Sequence, residues 1–350
     1  MIDIGIIGLG SMGHTHLAAY RKIPGCRVVA VADADEGRRT GRTRVGGNIE
    51  GQGAEDGFDF SGVRQFADAS ALIADPGVQL VDVCLPTPLH ARFAVEALEA
   101  GKHLMVEKPL ARTAAEADRV VAAAEAAAAR GQVAECGMCM RFWPGWVWLK
   151  EAVDDGRFGR VLHAHFHRVT SHPPGPFYAD GEACGGALLD LHVHDTDFVQ
   201  HVFGTPRAVF TRGYAKHTSH PDHVSTQYLY GGSGGSGGSG GGGGPVVTAE
   251  GGWAMQEGFG FEMRYAVNFE RATAVFDIHR DPVLTLIDAA GGKRAVEVPA
   301  GLGYDHELAH LIGRIQRGEA TVTLADAARA LRTIEAEVRS LASGQIEDVT

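Results

Sequence analysis

Short apolar runs alternate with longer amphipathic stretches over the first 135 residues of the chain. The apolar runs are rich in Val, Ile and Leu and have the length of buried strands. They predict strands at 3–8, 27–33, 80–86, 103–109 and 133–139. The stretches between them have helical periodicity, and the last one begins with a capping box at Thr113 and Glu116 and ends at Gly131. Such alternation predicts a doubly wound parallel sheet with right-handed crossovers.

Beyond about residue 150 the pattern changes, and one strand-like run follows another with little helix between them. Strands are predicted at 160–169, 206–215, 223–230, 245–255, 261–269, 272–278 and 283–289. One helix follows Gly186, and two more close the chain. This order predicts an α+β domain with a largely antiparallel open sheet. We therefore divide the chain into domains at 1–135 and 136–350, with the C-terminal helices as candidates for packing back on the first domain.

Two segments interrupt these patterns. Residues 41–62 show neither period and are interpreted as a long irregular loop. Residues 231–244 contain only Gly and Ser, which is the composition of a flexible coil. Because this run lies between two strand patterns, we interpret it as an overlong hairpin tip, native or engineered, that carries no chemistry.

The composition is that of a globular protein: 350 residues, of which 45% are hydrophobic and 21% charged. A formal net charge of −11 argues against nucleic acid or an anionic membrane surface as a main partner. The chain runs from its first residues directly into a strand pattern, and its apolar runs are too short to cross a bilayer. We therefore expect a cytoplasmic protein that binds neither nucleic acid nor membranes.

The cysteines form an odd and scattered set, which suits reduced thiols better than a disulfide framework. They are Cys26, Cys84, Cys136, Cys139 and Cys184. Cys136 and Cys139 have C-x-x-C spacing, but in the predicted strand they point to opposite faces and cannot readily chelate one metal. We interpret them as buried structural residues.

The first predicted strand leads into Gly8, Gly10 and Gly13, spaced as G-x-G-x-x-G before a helix. In a dinucleotide-binding turn the first glycine permits the tight turn, the second lets backbone approach the pyrophosphate, and the third lets helix pack on strand. The phosphates then meet the positive end of the helix. A glycine-rich turn in an unrelated α/β fold is the alternative. We favour a cofactor site that includes the three glycines with Ser11 and Met12.

Asp33 stands at the end of the second predicted strand, where the dinucleotide fingerprint has its acidic residue. A carboxylate there accepts hydrogen bonds from the adenosine ribose hydroxyls and repels a 2′-phosphate. NAD is therefore favoured over NADP as the cofactor. Arg38 and Arg39 follow closely and weaken that preference.

Glu107, Lys108 and Pro109 end another predicted strand, at the edge where doubly wound sheets bind ligands. A lysine beside the nicotinamide can stabilise a developing alkoxide. Pro109 removes a backbone donor, fixes the turn and is a candidate for a cis peptide bond. On the residues alone, a surface lysine in a loop explains Lys108 equally well.

The stretch LLDLHVHDTD, residues 188–197, belongs to a predicted helix that begins at the glycines and ends at Gly204. At about 100° per residue, Asp190, His194, Asp197 and His201 fall on one stripe of that helix. Asp190 and His194 are four residues apart and can touch, which makes them a candidate acid–base unit. A solvated polar face is the alternative explanation.

Other histidines raise the question of a metal. His192 points away from His194 on the predicted helix and is interpreted as a packing residue. His163, His165 and His167 share one face of a strand, which is better metal geometry. The sequence shows no convincing carboxylate or cysteine partner for them, so we predict no metal site.

These motifs, in this order, resemble the glucose–fructose oxidoreductase / inositol dehydrogenase / MocA family of NAD(P)-dependent oxidoreductases. The likeness covers nearly the whole chain and is carried by GLGSMGHTH, LPTPLHARFAVEALEAGKHLMVEKPLART, MRFWPGWVWLKEAVDDGRFGRV, GGALLDLHVHDTD and GYDHELAHLIGRIQRG. The resemblance implies a Rossmann domain followed by an α+β substrate-binding and oligomerisation domain. It also implies that Lys108, Asp190 and His194 form the catalytic group and contact the substrate.

The resemblance assigns further residues by position. Pro86, Thr87 and His90 would lie along the nicotinamide, together with Glu107 and Lys108, and Arg141 would face the substrate. The family often uses its open sheet as a subunit interface, which implies a homodimer or homotetramer. This chain has His192 where many members have Gly, and it lacks a Trp that many have within PFYADGEACGG, which implies an unusual substrate.

Taken together, the sequence predicts an NAD-dependent dehydrogenase that transfers a hydride between the nicotinamide and a secondary alcohol of a sugar, sugar derivative or cyclitol. Three alternatives remain. One is a glycosidase or lyase that uses NAD for transient oxidation of the sugar. The others are a non-catalytic nucleotide-binding sensor and a metal-dependent hydrolase.

Overall fold

The structure is a computed structural model that describes residues 1–43, 58–231, 244–319 and 324–350. Contacts within the chain divide it into two compact units. The first unit consists of Met1–Phe142 and Gly301–Ala328, and the second of Trp143–Ala300 and Arg329–Thr350. Most of the predicted loop at 41–62 and of the Gly/Ser run at 231–244 lies outside the described residues.

The strands are numbered in chain order: β1 Ile2–Ile7, β2 Cys26–Ala32, β3 Arg64–Phe66, β4 Leu80–Val83, β5 His103–Val106, β6 Ala134–Cys136, β7 Val161–Ser171, β8 Ala208–Tyr214, β9 His223–Leu229, β10 Val246–Met255, β11 Phe261–Phe269, β12 Ala272–Asp277, β13 Leu284–Asp288, β14 Lys293–Ala295 and β15 Glu347–Asp348. The helices are α1 Ser11–Tyr20, α2 Glu36–Arg39, α3 Ala69–Ile73, α4 His90–Glu99, α5 Ala114–Ala128, α6 Pro144–Asp154, α7 Pro176–Ala179, α8 Gly181–Cys184, α9 Gly186–Asp190, α10 Val193–Phe203, α11 Gly303–Arg317 and α12 Leu324–Ser343. No helix among the described residues is long and apolar enough to span a membrane.

The first unit contains a six-stranded sheet in the order β3-β2-β1-β4-β5-β6. All neighbouring strands are parallel. This is the strand order of the Rossmann fold, so the predicted doubly wound sheet is confirmed. The short strand β3 was not predicted, because its three residues are exposed or half-buried and give no apolar run.

The core of the first unit includes a helix from the far end of the chain. Leu308, Leu311 and Ile312 of α11 are buried in one cluster with residues of β1 and α1 such as Ile4 and Leu17. Within the same unit, Arg314 of α11 donates to the buried carboxylate of Glu135 at 2.9 Å. Helix α11 is therefore an integral part of the first unit, although about 160 residues of chain separate it from β6.

The second unit contains a nine-stranded sheet in the order β14-β13-β12-β11-β7-β10-β9-β8-β15. Strands β7 and β10 are parallel, and the other described pairs are antiparallel. The predicted α+β domain with a largely antiparallel sheet is confirmed. One face of the sheet packs on α6 and α10, where Trp146 contacts Phe166, Phe198 and Tyr265.

The prediction of one continuous helix after Gly186 is wrong. The helix is broken at Leu191 and His192 into α9 and α10. The backbone N–H groups of both residues donate to the carbonyl of Ala187, which closes the end of α9. Helix α10 then ends at Gly204, as predicted. Periodicity alone does not show this break, because the residues on both sides of it are buried.

The predicted strand at 133–139 is too long. Strand β6 ends at Cys136, and Cys139 opens a 3₁₀ turn, so the two thiols are not on opposite faces of one strand. Both cysteines are buried, as predicted. No disulfide joins any of the five cysteines, all of which lie in the described part of the chain.

Candidate active site

The glycine-rich turn joins β1 to α1 at the carboxyl edge of the first sheet. Gly8 has a φ of +92°, and a side chain there would place its first carbon 2.5 Å from the carbonyl oxygen of Cys84. A side chain at Gly13 would overlap the carbonyl oxygen of Gly8. Both positions therefore require glycine.

Gly10 is different, because a side chain there would meet no atom of the described residues within 4 Å. Gly10 caps α1, and no side chain caps this helix end. The positive end of the α1 dipole lies at this turn and favours phosphate oxygens, and contacts of Ser11 and Met12 with the cofactor stay a prediction. No atom of the described residues fills the space beside Gly10, as the predicted pyrophosphate site requires.

Asp33 follows β2 and is held in a fixed orientation. Its two carboxylate oxygens accept backbone hydrogen bonds from Leu9 and Asp35, each at 2.8 Å. Each oxygen retains a lone pair for a ribose hydroxyl. Arg39 donates to the carbonyls of Asp33 and Ala34, whereas Arg38 lies 3.7 Å from the Asp33 carboxylate. Arg38 is thus the nearer of the two cations to the predicted ribose site.

The segment after β4 carries Pro86, Thr87 and His90. Thr87 begins a 3₁₀ turn, and His90 opens α4 with its ring buried. The two ring nitrogens of His90 lie 2.7 Å from the carbonyl oxygen of Pro109 and 2.6 Å from that of Leu85. Burial lowers the pKa of His90. The ring joins the loops after β4 and β5, and a contact with nicotinamide stays a prediction for all three residues.

Lys108 follows β5 at the same edge of the sheet. Its peptide bond to Pro109 is cis, as the sequence suggested. The buried Glu107 carboxylate accepts a hydrogen bond from the Lys108 backbone at 3.0 Å, which fixes the turn. The Lys108 side chain is half-buried between buried neighbours. Gly8, Gly10, Asp33 and Lys108 all follow strands of one parallel sheet, so the structure brings them to one edge.

His16 was not singled out from the sequence. This buried residue of α1 contacts β4 and the loop after β5. Its Nδ1 lies 2.8 Å from the carboxylate of Asp82, and its Nε2 lies 3.1 Å from that of Glu107. Burial alone would lower the pKa of His16, but the Asp82 carboxylate overrides burial and holds the pKa well above its usual value. The resulting imidazolium links α1 to β4 and β5. The sequence feature that could have indicated a buried partner such as His16 is Asp82, a charged residue inside the apolar strand LVDV.

Arg141 lies in the 3₁₀ turn Cys139–Phe142 of the first unit. Its guanidinium is 2.9 Å from the carboxylate of Asp326 at the start of α12. The side chain is 14% exposed. The predicted contact with substrate stays a prediction.

In the second unit, Asp190 ends α9 and His194 lies in the first turn of α10. Because the helix breaks between them, they are not related by the regular i, i+4 spacing that the sequence suggested. His194 and Asp197 are buried, and Asp190 and His201 are half-buried. A solvated helix face is therefore wrong. The predicted acid–base pairing, and its combination with Lys108 of the first unit, stay predictions.

Asp195, for which no role was predicted, anchors helix α10. The Asp195 carboxylate accepts two hydrogen bonds from Arg168 of β7, at 2.9 and 3.2 Å. The side chains are 0% and 3% exposed. The Arg168 guanidinium also lies over the ring of Trp146. This ion pair fixes the turn of α10 that carries His194.

Comparison with known proteins decides the family. The model of an oxidoreductase family with an NAD-binding Rossmann fold, GFO_IDH_MocA, matches residues 2–135. The GFO/IDH/MocA C-terminal domain matches residues 146–275. The chain belongs to the GFO/IDH/MocA family. The resemblance inferred from the sequence is thereby confirmed.

Among curated GFO/IDH/MocA relatives, inositol 2-dehydrogenase 2 of Saccharopolyspora erythraea is 34% identical over 232 residues, 65% of this chain and 62% of that protein. Myo-inositol 2-dehydrogenase of Thermotoga maritima is 31% identical over 203 residues, 57% of this chain and 54% of that protein. The matches thus span little more than half of these relatives.

Solved structures share the GFO/IDH/MocA fold over the whole chain. An oxidoreductase domain protein from Kribbella flavida has a TM-score of 0.83 and 24% identity and covers 100% of both chains. Levoglucosan dehydrogenase in complex with NADH has a TM-score of 0.82 and 22% identity and covers 100% of this chain and 99% of the other. At this identity the likeness shows the fold.

His192 is buried, as predicted. Its Nε2 lies 3.2 Å from the Tyr228 hydroxyl, which lies 2.9 Å from that of Thr196. Thr196 also donates to the carboxyl group of Glu337 at 3.1 Å. Burial lowers the pKa of His192 to about 4 and raises that of Glu337 to about 8. His192 and Glu337, 3.6 Å apart, are therefore both neutral at neutral pH and do not form an ion pair.

This network predicts a pH dependence of stability for the GFO/IDH/MocA chain. The folded-state pKa of Glu337 lies above its ordinary value of 4.5, so the folded state holds the proton more tightly than the unfolded state. Between pH 4.5 and about 8 its contribution to the free energy of unfolding falls, by about 3–5 kcal/mol. Glu337→Gln is expected to remove this loss, as measured by urea unfolding at pH 5, 6.5 and 8.

Glu257→Gln, at an exposed position of the same unit, is the control and should follow the wild-type profile. His192 contributes with the opposite sign, because its pKa is lowered, but Glu337→Gln leaves it in place. The difference between wild type and Glu337→Gln therefore isolates the carboxyl group. Parallel profiles for these two proteins would contradict the prediction.

Proposed function

We propose that this chain is an NAD-dependent oxidoreductase that transfers a hydride between the nicotinamide and a secondary alcohol of a sugar, sugar derivative or cyclitol. One observation carries the proposal. The glycine turn, oriented Asp33 and Lys108 stand at one edge of a single parallel sheet. That edge is where open α/β sheets bind nucleotides. The relatives that are named inositol 2-dehydrogenases, and the structural neighbour named levoglucosan dehydrogenase, support the substrate class.

The proposed chemistry divides the work among three residues. NAD, when bound, supplies the hydride acceptor. The Lys108 ammonium stabilises the negative charge that develops on the substrate oxygen. His194 accepts the hydroxyl proton, and Asp190 orients the imidazole and favours its protonated form. Arg141 contacts a further hydroxyl of the substrate.

We also propose NAD rather than NADP as the cofactor. The Asp33 carboxylate would repel a 2′-phosphate. Arg39 is already bound to two backbone carbonyls, and Arg38 is paired with the Asp33 carboxylate itself at 3.7 Å. A cytoplasmic location and a homodimer or homotetramer complete the proposal, the latter supported by the family's use of its open sheet.

The test is a direct assay. Purified protein is mixed with NAD or NADP and with a panel of inositols, pyranoses, anhydrosugars and sugar acids, while the absorbance of reduced nicotinamide is followed. We expect turnover with NAD and a cyclic polyol. If NAD binds but no member of the panel is oxidised, the proposed reaction is wrong, and glycosides would then test transient oxidation.

Cofactor binding gives a sharper prediction about two glycines. Gly10→Ala is expected to leave the unfolding temperature nearly unchanged, because no described residue lies within 4 Å of the added carbon, while it lowers NAD affinity about 10-fold by filling the proposed phosphate space. Gly13→Ala is expected to lower the free energy of unfolding by about 1–3 kcal/mol, because the new carbon overlaps the Gly8 carbonyl. Calorimetric titration with NAD and urea unfolding measure the two effects.

Gly101→Ala is the control for a loss of stability away from the phosphate space: Gly101 has a φ of +80°, so alanine there should destabilise the fold without changing NAD affinity. An unchanged affinity in Gly10→Ala would place the phosphates elsewhere.

A further inference from the structure

The face of the second sheet opposite α10 carries a group of metal-binding side chains. His165 and His167 of β7 alternate with Phe166 and Arg168, which face the helices, so the two imidazoles point to the other face. Glu250 of β10 points to that same face. One ligand atom from each of His165, His167 and Glu250 lies within 4.8 Å of the other two.

The register of the sheet explains this arrangement. In the parallel pair of β7 and β10, Glu250 stands directly beside His167, and Thr248 stands beside His165. The Thr248 hydroxyl lies 2.9 Å from Nδ1 of His165, which orients that ring. The sequence analysis found the histidines but missed Glu250, because strand pairing across 83 residues cannot be read from periodicity.

His167 and Glu250 each contact a further polar side chain. Nδ1 of His167 lies 3.2 Å from Glu250, and Nε2 lies 3.2 Å from Glu262 of β11. The other Glu250 oxygen lies 3.1 Å from Nε2 of His223 on β9. A carboxylate behind a metal-bound histidine orients the ring and strengthens it as a ligand.

The group is accessible and chemically selective. In the single chain the side chains of His167 and Glu250 are 8% and 31% exposed, so an ion can reach them from solvent before any subunits associate across this sheet. Two imidazoles and one carboxylate suit zinc, whereas calcium and magnesium prefer oxygen ligands throughout. Three protein ligands leave a fourth position for water.

We propose that His165, His167 and Glu250 bind one zinc ion, oriented by Thr248 and Glu262. Because these side chains point away from α10, the site is separate from Asp190 and His194 and does not depend on the proposed dehydrogenase function. The ion would join β7 to β10 across the long stretch of chain between them, so zinc is expected to raise the unfolding temperature.

The test starts from full-length protein treated with chelator. Equilibrium dialysis against zinc chloride, followed by metal analysis, is expected to give one zinc per chain for the wild type. His167→Gln and His165→Gln should each lower zinc affinity by at least about 10-fold. The unfolding temperature of both variants should no longer rise with zinc. Circular dichroism verifies that the variants fold.

His163→Gln is the matched control, since His163 is exposed on the same strand and lies outside the group. It should bind zinc like the wild type. Three outcomes would overturn the proposal: a wild type without bound zinc, full zinc binding in His167→Gln, or an equal loss in His163→Gln. None of them bears on hydride transfer, which is assayed separately.

Discussion

Replacing Lys108 by methionine is expected to lower kcat of the proposed dehydrogenase by about 10³-fold, while NAD affinity changes little. Methionine keeps the length of the side chain but removes the charge that would stabilise the developing alkoxide. The backbone hydrogen bond from Lys108 to Glu107, which fixes the turn, does not depend on the side chain. Steady-state kinetics with the best substrate of the panel measure kcat, and titration with NAD measures affinity.

Lys22→Met is the matched control, because Lys22 is 67% exposed in the same unit and lies 2.9 Å from the Asp305 carboxylate. Its kcat should equal that of the wild type. If Lys108→Met keeps more than about a tenth of the wild-type kcat, Lys108 is a surface lysine, the alternative that the sequence left open.

Replacing Asp195 by asparagine is expected to lower the free energy of unfolding by about 3–5 kcal/mol. The substitution leaves Arg168 charged and buried, with its carboxylate partner gone and its side chain 3% exposed. Because Asp195 lies in the same helical turn as His194, kcat should fall as well. Urea unfolding measures the stability, and kinetics under conditions where the variant is folded measure kcat.

Asp348→Asn removes a carboxylate from an ion pair whose side chains, Arg207 and Asp348, are 62% and 69% exposed. Exposed pairs contribute less than about 1 kcal/mol, so this control should unfold almost like the wild type. Similar losses in the two variants would show that the Arg168–Asp195 pair is no more important than a surface pair.

The first sheet could be predicted from the sequence because each of its long strands is a separate apolar run between helices. The same reasoning failed for β3, which is short and exposed or half-buried. It also failed for the break at Leu191 and His192, where both flanking helices are largely buried. Hydrophobic period shows which face of an element is buried. It does not show where hydrogen bonding is interrupted inside a buried segment.

In the candidate site, too, some residues could be predicted from the sequence and others could not. Gly8 and Gly13 lie close together in the sequence, and their requirement for glycine follows from the positive φ of Gly8 and from the Gly8 carbonyl that faces Gly13. Partners that are far apart in the chain were missed, as with His16 and Asp82 or His167 and Glu250. Such pairs depend on strand order and register, which a single sequence does not provide.

The chain passes between the two units three times, after Phe142, Ala300 and Ala328. A fragment that ends at Phe142 would keep all six strands of the first sheet but lose α11, and with it Leu308 and Leu311 of the core. The first unit therefore cannot be exchanged between enzymes as one continuous segment of chain. A functional chimera must carry residues 301–328 along with residues 1–142.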